Sequence, residues 1–71
     1  MKFGCSLPVC DCDGCVRKIY EDIEAETEEE VVRKVLEETK NLPPSLWVDY
    51  TRSAYVNGKQ IDLKPFKPAK V

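Results

Sequence analysis

Cys5, Cys10, Cys12 and Cys15 fall within eleven residues, in the segment Cys5-Ser-Leu-Pro-Val-Cys-Asp-Cys-Asp-Gly-Cys15, spaced C-x4-C-x-C-x2-C. These are the residues whose type and spacing could do chemistry. Four thiolates complete the tetrahedral shell of a structural zinc, and Pro8 and Gly14 suit a short loop folded back around an ion. The spacing therefore predicts a metal site of Cys5, Cys10, Cys12 and Cys15, with Asp11 and Asp13 facing water because soft thiolates already fill the shell. An iron–sulfur cluster ranks below zinc, since four Cys can hold one but the familiar spacings differ from this one. Disulfides or a dithiol redox pair are the remaining reading. Cys12–Cys15 is then the natural C-x-x-C pair, provided that a helix N-terminus lowers a thiol pKa there.

Little else in the chain suggests catalysis. There is no His, the three Gly are isolated at 4, 14 and 58, and Ser6, Ser45 and Ser53 have no recognisable partner motif. Acid–base catalysis by imidazole and phosphate binding in a Gly-rich loop are thus disfavoured. Any enzymatic activity would be thiol chemistry.

The chain has 71 residues, of which Val, Leu, Ile and Phe make up 18, more than disordered chains carry. One small domain is expected, and a core of this size rarely supplies more than about 3–5 kcal/mol without a staple. No apolar run reaches the roughly 20 residues of a membrane span, and no basic and apolar leader follows Met1. The expected location is cytoplasmic, with no membrane partner. The formal net charge of −2 conceals a dipolar chain, because residues 1–39 carry −6 and residues 40–71 carry +4. Glu and Lys far outnumber Gln, Asn and His, a balance that leans towards a thermophile.

Around the cysteines, the pattern predicts these elements. Val16, Ile19, Tyr20 and Ile23 fall at i, i+3, i+4 and i+7, which favours a helix over residues 16–26, with a strand as the alternative. Thr27 and Glu30 form a capping-box pattern, and Val31, Val32, Val35 and Leu36 give the next helix its apolar stripe. Lys40-Asn41-Leu42-Pro43-Pro44 ends that helix. Asn57-Gly58 signals a hairpin, with Leu46, Val48, Tyr50, Ala54, Val56, Ile61 and Leu63 on its core face. Met1-Lys-Phe3 could add a third strand, and 65–71 reads as a frayed Pro/Lys tail.

The opposite face of the hairpin suggests partners. Trp47, Tyr55, Gln60 and Lys64 on that face, with Lys59, Phe66 and Lys67 nearby and Arg52 at a bend or the sheet's edge, combine aromatic and basic groups, as do platforms that stack on single-stranded nucleic acid. A protein partner is the leading expectation for this surface and nucleic acid the second.

Val9-Cys-Asp-Cys-Asp-Gly14, an expected amphipathic helix and Thr27-Glu-Glu-Glu-Val31 together resemble the N-terminal half of bacterioferritin-associated-ferredoxin-like [2Fe–2S] domains. That resemblance runs from Val9 to Val31 and implies Cys10 and Cys12 as iron ligands. It lacks the later C-x-x-C of that family, because no Cys follows Cys15. The sequence as a whole reads as an α+β domain with an N-terminal four-Cys metal knuckle in 1–15, one or two helices in 16–41, and a C-terminal antiparallel hairpin or three-stranded sheet in 45–64. Its expected role is that of a structural zinc module for protein interaction. Thiol-redox or electron-transfer chemistry, and nucleic-acid binding, are the alternatives.

Overall fold

The computed structural model of the chain describes residues 1–67. Its N-terminal third is a long hairpin of β1 (Lys2–Asp11) and β2 (Gly14–Glu24), followed by one helix, α1 (Glu28–Glu38). The short strands β3 (Trp47–Val48), β4 (Ser53–Val56) and β5 (Lys59–Asp62) complete a five-stranded antiparallel sheet. Its order is β2-β1-β4-β5, with β3 also paired to β1. The α+β class is as expected, but the N-terminal third is not.

Residues 1–15 form no knuckle, because β1 is a strand whose side chains alternate between the two faces of the sheet. Phe3, Cys5, Leu7 and Val9 are buried on one face of the sheet, where they meet Val31, Val32 and Val35 of α1 and Ala54, Val56 and Leu63. Pro8 is tolerated inside a central strand because its neighbours on that side change there. β4 pairs with Cys5 and Ser6, β3 pairs with Val9 and Cys10, and the Pro8 carbonyl accepts the Asp49 N–H at 3.0 Å. Met1-Lys-Phe3 leads into β1, which does lie as a third strand beside the β4–β5 hairpin, although it pairs with β4 at Cys5 and Ser6 and runs on as a central strand.

The helix expected over residues 16–26 is instead β2, an edge strand. A bulge explains the helical spacing: Phe3 pairs with Ile23 and Cys5 with Tyr20, so the single residue Gly4 lies opposite both Glu21 and Asp22. Asp22 takes the left-handed conformation, φ 58°. The extra residue resets the alternation and turns both Tyr20 and Ile23 towards the core, three apart in sequence. The first helix implied by the ferredoxin-like resemblance is therefore a strand.

The second half follows its sequence signals closely. Thr27 Oγ1 accepts the Glu30 N–H at 3.1 Å, and the Glu30 carboxylate reaches the Glu26 N–H at 2.8 Å, one residue earlier than a capping box predicts. Glu29 and Arg33 pair at 3.0 Å. Lys34 donates to the Glu24 carbonyl at 2.5 Å, tying α1 to the end of β2. Asn57 and Gly58, at φ 50° and 85°, make the turn between β4 and β5 as both centre positions of such a turn require. Leu46, Val48, Tyr50 and Ile61 pack on the core as expected, although a turn at Asp49–Arg52 divides the run into β3 and β4. Lys64–Phe66 form a 3₁₀ turn that seats Phe66 against the core, so this part of the expected tail is structured. Residues 68–71 of that tail lie outside the described residues.

Candidate functional site

Alternation along β1 decides where the thiols go. Cys5 and Cys10 are five residues apart, so they lie on opposite faces of the sheet and about 17 Å apart along the strand. Sulfurs sharing one zinc sit about 3.8 Å from each other, given Zn–S bonds of about 2.3 Å. The four-thiolate set expected for zinc or a cluster is accordingly not assembled.

Cys5 belongs to the core. It is buried beside Leu7 and Val56, and burial pushes its thiol up to about 11, against a smaller opposing effect of the Arg17 charge. It stays protonated at neutral pH and is a small apolar side chain rather than a ligand or nucleophile.

Cys10 and Cys15 come together on the other face. They are register partners across the β1–β2 hairpin, with Cα atoms 3.9 Å apart and the two sulfurs joined as a disulfide. Backbone groups of Gly4 and Pro8 bond towards Asn57 and Asp49, away from β2. By alternation, Cys10 and Cys15 are a pair that exchanges no backbone hydrogen bonds, the closer kind of antiparallel pair. The turn that closes this hairpin is built from the acidic residues read as solvent-facing. One Asp11 carboxylate oxygen accepts the N–H groups of Asp13 and Gly14 at 2.8 and 3.0 Å, and Gly14 takes φ 147°. Cys12 sits in the turn as an exposed free thiol.

A residue missed in the sequence joins this pair. A carboxylate oxygen of Asp49 and the sulfurs of Cys10 and Cys15 all lie within 4.8 Å of one another. Asp49 is held by the Thr51 hydroxyl, by the Thr51 N–H at 3.0 Å and by Arg52 at 3.2 Å. These contacts, the Thr51 hydroxyl foremost, hold its carboxyl below the ordinary aspartate value. An Asp-x-Thr turn signal was legible, but its approach to the thiols depends on β3 pairing with β1.

The expected partner surface is divided. Tyr55 lies on the open face with Arg17, whose guanidinium carbon is 4.8 Å from the ring centroid and which donates to the Ser53 carbonyl at 2.8 Å. Trp47, half exposed, is the register partner of Cys10 and shares that face. Lys59 is the partner of buried Val56 and pairs with Glu28 on the helix side at 3.8 Å. Phe66 lines a groove on that side with Leu36, Tyr50 and Ile61. Arg52 is engaged by Asp49; Lys64 and Lys67 flank Phe66 in and just after the 3₁₀ turn. The aromatic and basic residues therefore do not form one platform.

No helix of the described residues is long and apolar enough to cross a membrane. Comparison with protein-family models, with curated proteins and with solved structures finds no match to this chain.

Proposed function

We propose that the protein is a small thiol–disulfide module serving as an accessory or interaction domain, with Cys10 and Cys15 as its redox pair. The observation that carries this reading is the pairing of their sulfurs across the first hairpin, with the free thiol of Cys12 in the intervening turn. Cys15 is exposed and Cys10 is buried, so a thiolate from a dithiol donor would meet the Cys15 sulfur first. Attack there forms a mixed disulfide, breaks the S–S bond and releases Cys10 as a thiolate. The donor's second thiol then resolves the mixed disulfide. The donor ends as a disulfide, and this chain gains two electrons and two protons. Cys12 permits an exchange without net electron transfer, in which its thiolate attacks Cys15 or Cys10 and frees the other.

Titration in glutathione buffers followed by intact-mass analysis tests the reading. A single two-electron transition is expected, kept in Cys12→Ser and lost when Cys10→Ser or Cys15→Ser is added to that background. Free Cys10 and Cys15 thiols at every potential would refute it.

The position of Asp49 supports a second reading, in which the reduced form binds zinc. Two thiolates and a carboxylate are zinc ligands, and Cys12 or a water could provide the fourth. Cys5 has no part in this set. The expected result is one zinc per reduced chain, weakened in Asp49→Ala and released on oxidation. Zinc binding equally tight in Cys10→Ser would exclude it.

A further inference from the structure

The outer edge of β2 is open along its length, since no described strand pairs there. Alternation from the β1 pairing leaves the N–H and C=O groups of Cys15, Arg17, Ile19 and Glu21 pointing outward, with no Pro to interrupt them. Natural edges are blunted by bulges, Pro or charges. Here the bulge comes only at Glu21–Asp22, so a straight stretch remains before it. Ile19 sits at its centre, 68% exposed and without a core contact.

We propose that this edge pairs with the β2 edge of a second copy of the chain, antiparallel about a two-fold axis through Ile19. The charges choose both the occupant and the register. With Ile19 opposite its own copy, Arg17 faces Glu21 and Lys18 faces Tyr20, so no like charges meet within residues 17–21. Centring on residue 17 or 18 sets Arg against Arg or Lys against Lys, and like charges directly opposite are destabilising. Centring on Tyr20 draws Asp22, the left-handed residue of the bulge, into the pairing opposite Lys18. The Arg17 guanidinium lies on the β4 side, over Tyr55 and 2.8 Å from the Ser53 carbonyl, and pairing requires it to swing back across β2 to reach Glu21 of the second copy. The two sheets become one continuous sheet, and the exposed Ile19 side chains cover each other. This inference does not depend on the thiol chemistry.

Sedimentation velocity of the oxidised full chain from about 10 μM to about 1 mM, together with a label distance, tests it. Wild type is expected to dimerise with rising concentration. Ile19→Lys places two ammonium groups at the axis and should raise the dissociation constant at least tenfold, with the circular dichroism unchanged. Glu21→Lys, which sets Lys against Arg17, provides the same test at a second exposed position should the first variant fail to fold. A spin label on Ile19→Cys in a Cys12→Ser background should report a short inter-chain distance, below about 20 Å, because register partners lie about 5.5 Å apart at Cα. A wild type monomeric throughout the range would overturn the proposal. A folded Ile19→Lys or Glu21→Lys variant that dimerises as tightly as wild type, or a dimer whose labels lie farther apart than that bound, would do the same.

Discussion

Reducing the Cys10–Cys15 disulfide should weaken the fold without abolishing it, and the size of the loss follows from the loop it closes. The two residues are five apart in sequence. Chain-entropy arguments give a cross-link over so short a loop about 2 kcal/mol, less than half of what a loop of 100 residues would bring. The buried side chains of β1, α1 and β4 meet without help from the disulfide, because Cys10 and Cys15 lie on the open face. The reduced chain, or Cys10→Ala/Cys15→Ala, is therefore expected to unfold cooperatively with a melting temperature lower by about 10 °C. A four-thiolate zinc staple, with apparent binding energies of about 10–16 kcal/mol, would instead leave the metal-free chain unfolded. Urea unfolding with and without reductant, in chelator throughout, distinguishes these cases. A cooperative transition weakened by the amount expected for the short loop supports the reasoning. A reduced chain with no cooperative transition would refute it, as would an unchanged midpoint.

The buried Cys5 thiol makes a prediction of opposite character. Its folded-state value of about 11 lies above the ordinary 9.0 because burial disfavours the thiolate. The native state then holds its proton where the unfolded chain loses it, so the contribution of Cys5 to stability should be constant below pH 9 and fall between pH 9 and 11. Cys5→Ala should flatten that slope in pH-dependent urea titrations; a slope unchanged by the substitution would assign it to another group. Asn57→Ala removes the side-chain acceptor of the Gly4 N–H at 2.8 Å and puts Ala at φ 50°. A loss of about 2 kcal/mol is expected, combining the hydrogen bond and the left-handed conformation. Asn57→Gly should recover only the conformational part, and equal stability of the two variants would show that φ does not contribute.

How legible each element was depended on how local its cause is. The capped helix and the Asn57-Gly58 hairpin arise from contacts within a few residues, and both were read correctly, down to the Thr27 cap. The first hairpin was misread for two separate reasons. In β2 the bulge at Glu21–Asp22 gave Tyr20 and Ile23 a helical spacing, and a bulge is set by the partner strand. In β1 the alternation Phe3, Cys5, Leu7, Val9 was in plain view. Cys5 and Cys10 are close in sequence, but their odd separation along a strand sends them to opposite faces. Cys10, Cys12 and Cys15 were recognised as the chemical segment, but Cys10–Cys15 rather than Cys12–Cys15 is the joined pair. Asp49 enters the site only through the long-range pairing of β3 with β1, which no local pattern announces.

The central claim, that Cys10 and Cys15 are the redox pair, is tested most directly by mapping thiols in the native chain. Exposed thiols are alkylated first, the chain is denatured and alkylated with a second reagent without reduction, and the peptide from Phe3 to Arg17, which contains all four Cys, is sequenced by fragmentation. The account predicts the first label on Cys12, the second on buried Cys5, and a cross-link between Cys10 and Cys15 that disappears on reduction. A cross-link through Cys5, or four free thiols under oxidising conditions, would contradict it.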